Sequence, residues 1–172
     1  MLKISDLIMK TMDLGTVQNK KIRPVQLDEY LQDWDLLLSN NTTSKISTIV
    51  KNGPLLLIFI RGTWCPFCRL HMKRLREWVS KLKNKKATII VVSTEPIDII
   101  KEWLKSHSFP YLFASDERLI LSDHFGVRLE PNQFSQAATF LIDTDLSVRL
   151  AYVGKRDSKN FEEMDNALDK MN

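Results

Sequence analysis

The chain's two cysteines, Cys65 and Cys68, both lie in one short stretch, Arg61-Gly62-Thr63-Trp64-Cys65-Pro66-Phe67-Cys68. Thiols two residues apart can cycle between dithiol and disulfide: one attacks as a thiolate and the other resolves the adduct. Cys65 stands where a helix should begin. There the exposed backbone N–H groups and the helix dipole favour an anion, so its pKa is expected below the free-thiol value of about 8.5. Pro66 suits the first helical position, where its missing N–H is not required. Cys68 lies one turn further in and is expected to be the more buried. Cys65 is therefore the expected attacker and Cys68 the resolver. Arg61, Arg69 and Arg128 are candidates to add positive potential, and Trp64 to shield one side of the sulfur and present an apolar surface to a partner.

Two other readings compete. Both cysteines could be ordinary buried thiols. A zinc site could use Cys65, Cys68 and His71, but it lacks a fourth ligand, and His107 and His124 lie far off in sequence. No metal and no cofactor is expected. Asp116 and Glu117 read as a helix cap with a dipole-favourable acid, not as a general acid–base pair. Gly53 and Gly126 read as turn and cap residues, not as a phosphate loop.

The elements that must hold the cysteine pair are legible from the hydrophobic pattern. Leu55 to Ile60 is a continuous apolar run and reads as a buried strand. Arg69 to Leu82 reads as a helix, with Leu75, Trp78, Val79 and Leu82 on one face. Ala87 to Val92 is a second buried strand, followed by a helix over Ile97 to His107. A short strand, Tyr111 to Ala114, leads to a helix from Glu117 to Phe125 closed by Gly126. Val127 to Gln136 reads as a polar loop. Strands Ala138 to Ile142 and Val148 to Val153 form a hairpin, and Phe161 to Met171 is a terminal helix. Before these come a strand at Trp34 to Leu38, a turn cluster at 40–44 and an ambiguous segment at 45–50. Ile4 to Met12 and Val25 to Leu31 read as short helices. The order implies an α/β fold: a mixed central sheet, parallel in its first half, with helices on both faces.

A chain of 172 residues that is 44% hydrophobic can bury one sizeable core. The expected division is an N-terminal extension, 1–32, and one domain, 33–172. A net charge of +4 is too small, and its lysines and arginines too little interleaved with aromatics, to suggest nucleic-acid binding. Charged residues interrupt each apolar run in 1–15, and no segment approaches the length of a membrane span, so neither a secretory signal nor a membrane partner is expected. The expected compartment is the cytosol, where a cycling pair is favoured over a structural staple.

The stretch from Gly53 to Cys68 resembles the redoxin branch of the alkyl hydroperoxide reductase/thiol-specific antioxidant family, peroxiredoxin-like members of the thioredoxin superfamily. An aromatic-Arg-Gly-x-Trp-Cys-Pro-aromatic-Cys signature marks that branch. The resemblance continues at Val91-Val92-Ser93, Phe109 to Asp116, His124 to Val127, Ala138 to Asp143 and Ala151 to Val153, and so covers about Asp33 to the C-terminus. It implies a thioredoxin-like fold, antioxidant oxidoreductase activity and Cys65 as the attacking or peroxidatic cysteine. It also implies an external dithiol reductant of thioredoxin or glutathione type, and it leaves a homodimer open.

This chain has Gly62 where peroxiredoxins carry a peroxide-orienting Thr or Ser, with Thr63 one place later. It has Ala137 where they carry an Arg and thioredoxins a cis-Pro. Those replacements weigh toward disulfide exchange. A true thiol peroxidase that uses Arg61 or Arg128 instead is the alternative enzyme. A non-catalytic interaction module or redox sensor is the alternative outside catalysis.

Overall fold

The computed structural model describes residues 23–82, 86–131, 133–154 and 157–171. The helix expected at Ile4 to Met12 and part of the basic stretch Lys81 to Lys86 lie outside them. A seven-stranded mixed sheet forms the centre, in the order β2-β1-β5-β4-β3-β8-β9. Its strands are β1 (Asp35–Leu38), β2 (Thr43–Lys45), β3 (Leu55–Ile60), β4 (Thr88–Ser93), β5 (Leu112–Ser115), β8 (Ala138–Ile142) and β9 (Val148–Val153). The strands β3, β4 and β5 run parallel, whereas β8 pairs antiparallel with β3 and with β9. Strands buried on both faces need no polar alternation, which is why β3 and β4 read as unbroken apolar runs.

The two faces carry separate cores. Leu55, Leu57, Phe59, Ile90, Val92 and Phe140 point to one, with Ile46 of a short helix α1 (Ile46–Ile49) and Leu121 of α4 (Ile120–His124). Leu56, Ile58, Ile60, Val91 and Leu141 point to the other, under α2 (Pro66–Val79), α3 (Ile97–Leu104) and α5 (Ser158–Asp169). On that second face, Trp78 Nε1 donates to Asp165 Oδ2 at 3.1 Å and Phe161 packs on His71 and Trp78, joining α2 to α5. The Tyr111 hydroxyl donates to the Met72 carbonyl at 2.8 Å and ties the approach to β5 to the middle of α2.

Several boundaries differ from the sequence expectation. Helix α2 begins at Pro66, three residues before Arg69, so both cysteines belong to its first turn or its cap. Helix α3 stops at Leu104 rather than His107. The expected helix at Glu117 to Phe125 shrinks to α4, because Leu119 adopts a left-handed φ of 58°. Asp116 still satisfies that helix from a distance, accepting from the Leu121 and Ser122 amides at 3.0 and 2.8 Å. The segment Val127 to Gln136 is not all loop: β6 (Arg128–Leu129) pairs with β7 (Phe134–Ser135).

No helix forms over Val25 to Leu31. A seven-residue helix is too short to stand alone, and its backbone groups find partners elsewhere. The Val25 amide donates to the Phe125 carbonyl at 3.1 Å. Asp28 and Leu31 amides donate to Val148 and Leu146 carbonyls at 2.8 and 3.0 Å. Val25 and Leu31 bury their side chains in the first core, so this segment is a strap across the same domain. Among the described residues no helix is long and apolar enough to cross a membrane.

Candidate active site

Strand β3 ends at Ile60, and the chain turns through residues 61–65 into α2. Several polar backbone groups of this turn have fixed partners, some of them from distant segments. The Ile60 carbonyl accepts from the Ser135 hydroxyl at 3.0 Å, and the Arg61 carbonyl from the Thr94 hydroxyl at 2.8 Å. The Gly62 carbonyl accepts from the Cys65 amide at 3.3 Å. The Thr63 carbonyl accepts from Arg69 Nε at 2.5 Å.

Cys65 is the N-cap residue of α2, with extended φ and ψ of −76° and 120°, and Pro66 follows at the helix start as expected. Its carbonyl accepts the first helical bond, from the Arg69 amide at 3.0 Å. Cys65 is 3% exposed and Cys68 fully buried, and both are free thiols. The two side chains share a hydrogen bond.

That bond overturns the expected activation of Cys65. The helix-start amides of Cys68 and Phe67 do favour its thiolate. The bond to Cys68 and burial oppose them more strongly, and together they push the Cys65 thiol well above its usual range. Two coupled thiols lose their protons in two separate steps, and the neighbouring sulfur delays the second of them. The sign is definite. A raised folded-state pKa adds stability that is fully present below the unfolded value of about 8.5 and is lost as pH rises beyond it. Alkylation of reduced protein by iodoacetamide is therefore expected to be slower at pH 7.5 than that of an unfolded cysteine peptide, and to climb through the alkaline range. The melting temperature should also fall more steeply above pH ~8.5 than that of Cys65→Ser. Faster alkylation than the peptide at neutral pH would contradict both.

Trp64 is 53% exposed and packs edge-on against Phe134 at 6.1 Å. Its indole also folds back over Gly62. A Cβ at position 62 would collide with Trp64 Nε1 and lie 2.6 Å from Cδ1. A side chain at position 62 would therefore meet the indole, which would have to swing aside. Ala137, immediately before β8, is 1% exposed, and its carbonyl accepts from the Gly154 amide at 2.6 Å.

Each of the three candidate arginines has a partner of its own. Arg61 lies over the Phe134 ring at 5.5 Å. Arg69 is used on Thr63. Arg128 is paired with Asp123 at 2.9 Å and with Gln133 at 2.9 Å. None of the three is a cause of the Cys65 shift. Thr63 is 3% exposed and faces Glu95, a residue without a place among the sequence candidates. The signal that was present is the polar run Ser93-Thr94-Glu95 directly after a buried strand. All three side chains turn toward the active-site turn or one another, and none caps α3. Among the described residues no cluster of three or more His, Cys, Asp or Glu is placed to hold a metal.

The AhpC/TSA family model matches residues 27–151, most of the chain. The chain belongs to the AhpC/TSA family. Its relatives include a peroxiredoxin-named protein of Mycobacterium tuberculosis, 25% identical over 119 residues, 67% of this chain and 77% of that one. A protein named thiol:disulfide interchange protein DsbE, of Vibrio cholerae, is 30% identical over 118 residues, 67% of this chain and 58% of that one. The crystal structure of peroxidoxin BcpB from Mycobacterium tuberculosis superposes with a TM-score of 0.74 at 22% identity, covering 86% of this chain and 96% of that one. That structural match establishes the thioredoxin-type fold of this AhpC/TSA protein. Family membership makes it a thiol-dependent oxidoreductase of the peroxiredoxin-like kind.

Proposed function

We propose that the protein is a dithiol reductant in which Cys65 attacks a disulfide and Cys68 resolves the adduct. The observation that carries this is the placing of two free, buried thiols at the start of one helix, Cys65 as the N-cap of α2 and Cys68 in its first turn. The Cys65 thiolate attacks one sulfur of a substrate disulfide, forming a mixed disulfide and releasing the other sulfur as a thiol. The Cys68 thiolate then attacks the Cys65 sulfur, forming the Cys65–Cys68 disulfide and releasing the second substrate thiol. Two electrons pass from the protein to the substrate. An external dithiol of thioredoxin or glutathione type returns them by the reverse exchange.

The raised Cys65 pKa supports the reducing direction. A pair whose thiolate is stabilised in the reduced state is a strong oxidant, and the converse holds for a pair kept protonated. The second reading is a thiol peroxidase, favoured by the peroxiredoxin-named relatives. In it, the Cys65 thiolate takes the terminal oxygen of a hydroperoxide, becomes a sulfenic acid and releases an alcohol or water. Cys68 then condenses with it, expelling water. Gly62 and Ala137 weigh against it.

Stopped-flow tryptophan fluorescence separates the two, with Trp64 as the reporter. Reduced protein mixed with hydrogen peroxide is expected to oxidise no faster than a free thiol, while a protein disulfide such as insulin is reduced. Fast quenching that scales with peroxide concentration and disappears in Cys65→Ser would make it a peroxidase.

A further inference from the structure

Glu95 follows β4 and lies 30 residues beyond Cys65 in sequence, yet its carboxylate is built into the turn that carries the thiol. Its Oε2 accepts from the Thr63 amide at 2.6 Å and from the Ser93 hydroxyl at 2.7 Å. Its Oε1 accepts from the Thr63 hydroxyl at 2.9 Å. The Glu95 backbone is itself anchored, because its carbonyl accepts from the Ser115 hydroxyl at 2.8 Å. Three donors converge on one carboxyl group, and only the ionised form accepts from all of them without a stranded proton. Such charge-assisted bonds are about twice as strong as neutral ones.

We infer that Glu95 is a positioning residue for Cys65 and acts through Thr63, by holding its backbone and fixing the direction of its hydroxyl; the inference rests on the dithiol reading above. None of these bonds runs to either sulfur, so the effect passes through Thr63. That residue is gripped on three sides: its amide and hydroxyl by Glu95 and its carbonyl by Arg69. One residue, Trp64, separates it from Cys65. The single hydroxyl proton of Thr63 is committed to Glu95, so its oxygen is left as an acceptor only. A misplacement of about 1 Å at a reacting atom can cost on the order of a hundredfold in rate. A buried residue locked this close to the thiol is therefore where positional control belongs.

Glu95→Gln is the discriminating variant because it is isosteric. The amide oxygen can take the place of Oε2 and keep the bonds from the Thr63 amide and Ser93. The amide nitrogen then stands at Oε1 and donates to the Thr63 hydroxyl, which must reverse. The backbone is held while the hydroxyl direction and the charge are lost. The assay is turnover of insulin disulfides with dithiothreitol as electron source, with thermal unfolding in parallel.

Glu95→Gln is expected to lower kcat about tenfold with KM and melting temperature near wild type. Thr63→Val should lower kcat to a similar extent, and the double variant no further, since the two act in series. Thr63→Ser, which keeps the hydroxyl, should restore turnover. Wild-type kcat in Glu95→Gln, a loss confined to KM, or multiplying effects in the double variant would each overturn the inference. Mass spectrometry of oxidised wild type keeps the two claims apart. If no Cys65–Cys68 disulfide forms, the functional reading fails and this inference with it. If the disulfide forms and Glu95→Gln turns over normally, only this inference fails.

Discussion

Cys65→Ser is expected to abolish turnover with disulfide substrates, by at least about a thousandfold, because a hydroxyl cannot replace an attacking sulfur and no second nucleophile can take over. Cys68→Ser should behave differently. Its Cys65 can still attack once, but nothing resolves the product. A single equivalent of substrate should remain attached as a mixed disulfide, visible as a mass increase on the peptide containing Cys65. Cys68 is fully buried, so a serine hydroxyl there also costs about 1–3 kcal/mol of desolvation if it finds no partner. Cys68→Ala controls for that loss and should trap the same adduct. Steady turnover in either Cys68 variant would show that an external thiol resolves the adduct and would remove the internal role assigned to Cys68.

Gly126→Ala is expected to destabilise the fold by about 2–4 kcal/mol, the combined cost of a left-handed non-glycine residue and a displaced strap. Gly126 has a φ of +66°, and an added Cβ would collide with the Arg23 carbonyl oxygen and lie 2.7 Å from Pro24 Cα. Both obstacles are backbone, so no side-chain rotation relieves them. The segment that must yield is the one whose Val25 amide donates to Phe125 and whose Val25 and Leu31 complete the first core. Urea unfolding should show a lower midpoint, and limited proteolysis should cut earlier within 23–31. A midpoint within about 0.5 kcal/mol of wild type would mean that the strap shifts freely and contributes little.

The strap and Glu95 were illegible in the sequence for the same physical reason. Val25 to Leu31 has helix-compatible residues and a preceding proline, but a segment this short takes its conformation from whatever satisfies its backbone. Here the partners are Leu146 and Val148, more than a hundred residues away. Glu95 sits between Thr94 and Pro96, where an acid ordinarily favours a helix start. Its use on Thr63 depends on the parallel register of β3 and β4, which brings Ser93 beside Ile60. No local signal carries that register. The activation expected for Cys65 failed similarly. The helix start at Pro66, directly after Cys65, is a local property. The opposing burial and the bond to Cys68 are products of packing.

By itself the sequence determined the cradle of the cysteine pair. The spacing of Cys65 and Cys68, the apolar run Leu55 to Ile60 and the apolar face of α2 are short-range patterns. Each is dictated by the period of one element, so the strand–dithiol–helix unit and the mixed α/β fold followed from them. The tertiary structure decided how that pair is tuned. It buried both thiols and raised the proton affinity of Cys65. It committed Arg128 to Asp123 and laid Trp64 across Gly62. It also brought Glu95 from the next strand to hold Thr63. Those outcomes are sums over contacts between residues distant in sequence, and they exist only once the sheet has set which strand ends lie side by side.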